Sequence, residues 1–292
     1  MTPRGWFLLV SLGIIWGIPY LFIKIAVETF SPGTLVFLRV AIAGIILLPI
    51  VLARGQWRSL RGHWRWVIAF ALVEMAFTWT ALNWAEERIT SSLAALLIAL
   101  VPLVTALLAR FVGLDDRLTG SRVVGLVIGF VGVGILVGFD LTGGDLPVLA
   151  AMAIVVLGYA LGPILVDRKL GELPSLAVIA AAMLVNTIIF APIAALTWPS
   201  EPIPLRAWIS VLILGAICSA LAFIVFFRLI AEVGPSRTTL ITYINPVVAV
   251  ILGIVVLSEP LTLGMVAALP LILLGSWLAT RRAPAIESEP HA

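Results

Sequence analysis

Ten stretches, each of about twenty mainly apolar residues, are separated by short polar breaks and leave this chain few ways to fold. They fall at 6–26, 34–53, 65–84, 91–112, 121–139, 146–166, 174–197, 206–230, 236–257 and 262–280. Each is long enough to cross the hydrocarbon core of a bilayer as a helix. A membrane strand would instead alternate over about ten residues, so the continuity of the runs excludes a barrel. Of the 292 residues, 62% are hydrophobic and only 11% charged, and no soluble fold has interior for that composition. Nothing between the runs is long enough to bury a separate core. The expected fold class is all-α integral membrane, with ten transmembrane helices and the start of the chain as the first anchor.

The breaks are short and rich in turn formers, as in Ser31-Pro32-Gly33, Gly143-Gly144, the segment from Trp198 to Pro202, and Gly234-Pro235-Ser236. Such loops force neighbouring helices antiparallel. Basic residues in short loops mark the cytoplasmic side. Arg4, Arg54, Arg58, Arg61, Arg65, Arg117, Arg122, Arg168, Lys169, Arg281 and Arg282 share one side, against Arg88 and Arg206 on the other. Both termini are therefore expected in the cytoplasm of a bacterial cell, consistent with an even number of spans. Eight tryptophans sit at or near span ends, where amphipathic rings favour the interface, while Trp16 and Trp79 do not. The residues from 283 to 292 are polar and short, and are expected to be disordered.

The net charge of +3 is spread in short clusters between apolar runs, so nucleic acid is not an expected partner. The single cysteine, Cys218, can form no internal disulfide. Motifs for a hydrolase, a metalloprotease or a nucleotide-binding loop are missing from the sequence, and His63 and His291 lie in a basic loop and the tail. No enzyme activity, cofactor or metal is expected. The expected partners are the lipid bilayer and a small-molecule substrate, with a monomer as the working unit.

The chain repeats itself. The segment from Arg88 to Leu136 can be laid on that from Glu232 to Ala279, with Pro102 against Pro246 and the acidic turn LDDRLT (114–119) against LSEPLT (257–262). Weaker matches pair Gly17 with Gly158, Pro32 with Pro174 and Pro49 with Pro192. Five spans per copy is an odd number, so the second copy must enter the membrane from the opposite side as an inverted repeat. The expected division is 1–140 and 141–282.

The WG-x-P motif from Trp16 to Pro19, Arg39 in the second span, and the proline-to-acidic-LT pattern in the fourth and ninth spans resemble the EamA type of the drug/metabolite transporter superfamily. Within it the chain is similar to bacterial exporters of amino acids, including aromatic ones, of the YddG kind. The resemblance implies two inverted five-helix repeats around a central cavity that opens alternately to each side.

Polar groups inside spans are costly and point to a cavity, a partner or an interface. Trp16, Tyr20 and Lys24 lie at i, i+4, i+8 on one stripe of the first helix, where a cation beneath two aromatics would receive a carboxylate and a ring. The competing reading has Lys24 snorkelling and paired with Glu28. Glu74, with Thr78, Trp79 and Asn83 further along the third span, would bind an ammonium or carry a proton, or else stitch helices together. Arg39 reads as a structural anchor, paired with an acidic neighbour or reaching the interface. Thr242, Tyr243 and Asn245 in the ninth span, Tyr159 in the sixth and Ser219 in the eighth complete the candidates. Each is equally open to a packing role. Pro19, Pro102, Pro163 and Pro246 are candidate hinges, or static kinks, because proline frees a backbone carbonyl.

The function expected is export of amino acids, aromatic and other neutral ones favoured, and of related small metabolites. The alternatives are export of drug-like cations, purines or sugar derivatives, or a non-transporting scaffold or enzyme subunit.

Overall fold

The computed structural model describes residues 1–111, 120–140 and 146–280. The repeated turn at 114–119, Gly143-Gly144, Arg281, Arg282 and the tail lie outside the described residues. Nine helices among them are long and apolar enough to span a bilayer: α1 (Pro3–Ala26), α2 (Pro32–Ala53), α3 (Trp64–Glu86), α4 (Ser91–Phe111), α5 (Gly120–Phe139), α6 (Leu146–Lys169), α7 (Ser175–Leu196), α8 (Leu205–Val233) and α10 (Leu263–Thr280). Between the last two lies α9 (Ile241–Leu257), 17 residues long. The sequence placed its start at residue 236. Gly234, at φ 81°, instead precedes a separate short turn, Pro235–Thr238.

Local chemistry sets the helix starts. Thr2 and Ser31 accept hydrogen bonds from the amides of Gly5 and Thr34, each immediately before a proline in the first helical position. Thr90 caps α4 through the amide of Leu93. The side holding the start of α1 and the end of α10 is called near here, and the opposite side far.

The two halves run in opposite directions: α1 leaves the near side, α6 the far side. Packing follows a two-fold pattern, in which α2 pairs with α7, α4 with α9 and α5 with α10, while α1 rests on α8 and α9 as α6 rests on α3 and α4. Glycine permits the tightest approaches, as expected where lipid supplies no hydrophobic drive between helices. Gly125 and Gly129 of α5 meet Gly275 of α10 backbone to backbone, and Gly132 faces Leu271 and Ile272.

Four spans depart from regular α-helix. α1 is two pieces that meet at Ile18, just before Pro19, and α4 breaks between Ile98 and Val101, just before Pro102. By contrast, Pro163 and Pro246 sit inside uninterrupted helices. α3 and α8, counterparts in the two halves, each contain a π-helical segment, Ala71–Phe77 and Ile213–Leu221. Thr78 Oγ1 and Ser219 Oγ close these wide turns by donating to the carbonyls five residues back, Val73 at 2.6 Å and Leu214 at 2.8 Å.

The far side is clasped between the halves. Glu259, in the second copy of the repeated turn, accepts from the amides of Ser91 (2.7 Å) and Ser92 (3.0 Å) and from Ser92 Oγ (2.6 Å). Its carboxylate thus satisfies the free amides at the start of α4 and complements the helix dipole. Arg206 pairs with Glu28 at 2.8 Å, and Phe30, Trp198 and Trp208 form an aromatic plug.

A Cβ at Gly158 would overlap Thr78 Oγ1 and lie 2.8 Å from the Val73 carbonyl oxygen, a backbone atom that cannot swing aside. Gly158→Ala is expected to cost about 1–3 kcal/mol and to lower the unfolding temperature in detergent. Gly134→Ala, where a Cβ meets open space, should leave that temperature unchanged or higher.

Candidate functional site

The centre of the bundle holds a cavity of about 210 Å³. Its walls come from seven helices: Trp16, Pro19 and Tyr20 of α1, Arg39 of α2, Glu74, Trp79 and Leu82 of α3, and Tyr159 of α6, with α4, α8 and α9 closing the ring. From α4 come Ala95, Ile98, Ala99, Val101 and Pro102, from α8 Cys218 and Phe223, and from α9 Thr242, Asn245 and Pro246. The broken segments of α1 and α4 and both π-helical segments therefore border the same space. Irregular backbone at membrane depth is tolerated where it lines such a space.

Among the described residues, Arg39 is the one basic side chain on this wall and Glu74 the one acidic side chain. Arg39 is 6% exposed. Its Nε donates to Ser219 Oγ at 2.9 Å, and its guanidinium carbon stacks 3.8 Å from the Trp79 ring centroid. Neither contact neutralises its charge, and among the described residues no carboxylate forms an ion pair with it. The sequence reading anticipated an acidic partner or the interface; an indole face and a hydroxyl hold it at the cavity instead. Glu74 presses on α6 at Gly162, and its Oε2 is buried without a hydrogen-bond partner among the described residues.

Aromatic rings cover much of the remaining wall. Trp16 meets Phe223 edge-on at 5.9 Å and Phe226 at 5.0 Å. Thr242 donates to the Thr239 carbonyl at 2.7 Å. Asn245, with its amide nitrogen oriented by its acceptors, ties α9 to α1 through the carbonyls of Gly13 and Ile241, each at 2.9 Å.

Other sequence candidates point elsewhere. Lys24 donates to the carbonyls of Glu86 (2.6 Å) and Ile89 (2.8 Å), capping the end of α3, while Glu28 pairs with Arg206 rather than with Lys24. Asn83 donates to the Pro32 carbonyl at 3.1 Å, and Thr78 and Ser219 serve the π-helical segments. The Tyr243 hydroxyl lies 3.0 Å from Thr280 Oγ1, toward α10. Pro163 is absent from the wall, which does include Cys218, Phe223 and the small residues of α4 that sequence reasoning passed over. Nothing in their residue type announces that role. Among the described residues no group of three His, Cys, Asp or Glu could hold a metal ion.

Residues 3–138 and again 146–281 match the EamA-like transporter family. This chain belongs to that family. Its relatives include an "Uncharacterized transporter" of Archaeoglobus fulgidus, 26% identical over 281 residues that cover 96% of this chain and 99% of the relative. The "Uncharacterized inner membrane transporter YedA" of Escherichia coli (strain K12) is 30% identical, covering 92% and 90%. A "Probable terminal-alkyne amino-acid exporter" of Streptantibioticus cattleyicolor is 26% identical, covering 89% and 87%. A crystal structure of another protein shares the fold with a TM-score of 0.69 at 23% identity, covering 94% and 96%. This EamA-like protein is therefore a multi-pass membrane transporter of a small-molecule substrate.

Cys218 is the only cysteine of the chain and lies on the cavity wall. Methyl methanethiosulfonate is expected to label it in the folded protein, and Ala95→Phe, which fills the cavity, to slow labelling about tenfold or more, on the order of the cost of overpacking. Mass spectrometry of the intact protein reads both. Labelling only after denaturation would show that solvent does not reach the cavity.

Proposed function

We propose that this carrier exports zwitterionic amino acids, aromatic and other neutral ones favoured, across the bacterial cytoplasmic membrane by alternating access. The observation that carries the reading is the presence, among the described residues, of one cation, Arg39, and one carboxylate, Glu74, on a wall that is otherwise mostly aromatic and apolar. An amino acid presents the complement: a carboxylate for a guanidinium, an ammonium for a carboxylate, and a side chain for the rings of Trp16, Tyr20, Trp79, Tyr159 and Phe223. Charged groups held in a low-dielectric cavity discriminate strongly, because a ligand lacking either charge leaves a buried partner unmatched. The exporter name of the S. cattleyicolor relative supports the same class. Within this reading Thr242 and Asn245 offer further polar contacts, and Pro19, Pro102 and Pro246 border the moving segments.

The near side is the cytoplasm in this reading, as the distribution of Arg and Lys supports. The far half of α4 is buried without interruption from Ser91 to Leu97, whereas its near half is partly exposed from Val104 to Ala109. That gradient, together with the partly exposed run from Phe223 to Phe227 of α8, supports a conformation open toward the cytoplasm. The halves, divided near residue 140, would rock to close it.

Purified protein in liposomes is expected to give saturable flux of labelled amino acids. Arg39→Gln and Glu74→Gln should each cut it about ten- to a hundredfold, as loss of a charge-assisted contact implies. For a drug-like amine without a carboxylate, only Glu74→Gln should matter, which separates the zwitterion reading from a cation exporter. An amino-acid panel without saturable flux would remove the proposal.

A further inference from the structure

A second pocket lies at the near side, where the connection between α2 and α3 meets the end of α6, with a volume of about 630 Å³. Its charged lining is Arg65, Arg168 and Lys169 with Asp167 and Glu172. Three cations against two carboxylates leave one net positive charge before histidine is counted. Among the described residues none of these five forms an ion pair. Two of the cations flank one ring: Arg65 Cζ lies 4.9 Å and Lys169 Nζ 5.0 Å from the centroid of Trp66. Stacking on an indole positions the cations without cancelling their charge.

The pocket sits at headgroup depth. Trp66 is in the first turn of α3, and Trp57 and Trp64 pair edge to face at 5.5 Å beside it, as tryptophans do at a membrane interface. Beneath the pocket the bundle offers an apolar track. Ile154, Leu157 and Leu161, exposed by 48%, 44% and 38%, share a helix face with Arg168 through spacings of three, four and seven residues. A phosphate at the pocket mouth and an acyl chain along that track would belong to one molecule.

From this geometry we propose that the near-side pocket binds the phosphodiester headgroup of an anionic phospholipid, whose single negative charge matches the net charge of the lining. Basic pockets between membrane helices recognise lipid phosphates through this chemistry. The site is separate from the central cavity and does not depend on what the cavity carries. A soluble phosphate ester shares the anion but has no chain to lay on the track.

Native mass spectrometry of the detergent-solubilised carrier, given equal phosphatidylglycerol, phosphatidylethanolamine and phosphatidylcholine, tests the assignment. Phosphatidylglycerol should be retained preferentially. Arg65→Gln with Lys169→Gln should weaken its retention about thirtyfold, at about 1 kcal/mol per cation, while Arg65→Lys with Lys169→Arg should keep it. Excess glycerol 3-phosphate should not displace the lipid. Equal retention of the three lipids, an unchanged Gln double variant, or displacement by glycerol 3-phosphate would each overturn the proposal. All the substituted side chains are exposed, and the unfolding temperature of the Gln variant should equal that of the parent.

Discussion

Inside a bilayer no water is available to satisfy a backbone amide or carbonyl, so each departure from regular helix needs a partner from the protein. This constraint organises the molecule. The wide turns of α3 and α8 are closed by Thr78 and Ser219, and the carbonyl of Ala99, at the break in α4, accepts from Ser276 of α10 at 3.2 Å. Lys24 serves the end of α3, Glu259 the start of α4, and Asn83 the carbonyl of Pro32. With these groups engaged by backbone, Arg39 and Glu74 remain as the charged side chains on the cavity wall.

The same constraint explains what could be read in advance. Span number and order follow from apolar runs, because hydrocarbon thickness fixes their length. Gly125, Gly129 and Gly132 recur in the sequence at spacings of four and three, and the structure places them against α10. Polar residues within spans were also visible, but their targets were not: Lys24 and Glu74 look alike in sequence, yet one reaches carbonyls 62 and 65 residues along the chain, at the end of α3, and the other lines the cavity. Arg39 was the opposite case. Its stacking on Trp79 depends on how α2 and α3 cross, which no spacing within either helix contains. The π-helical segments left no compositional mark; Cys218 reaches the wall from within the second of them and Phe223 from just beyond it.

Duplication provides the frame, and divergence between the copies provides its chemistry. α3 and α8 are counterparts and both widen at mid-membrane, yet one brings Glu74 to the cavity and the other Cys218. α2 brings Arg39, while its counterpart α7 contributes nothing to the wall. In the proposed reading, two-fold packing around a site with unlike charges would let a zwitterion lie in one orientation.

The clasp at Glu259 joins the start of a helix in one half to a turn in the other. Any conformer that parts the halves on that side must strip three donors from one carboxylate and expose a helix terminus. Each 1.4 kcal/mol of that cost shifts the ratio of conformers tenfold. In the alternating-access reading proposed above, an empty molecule would have a built-in resting direction, and the cargo would supply the free energy that reverses it.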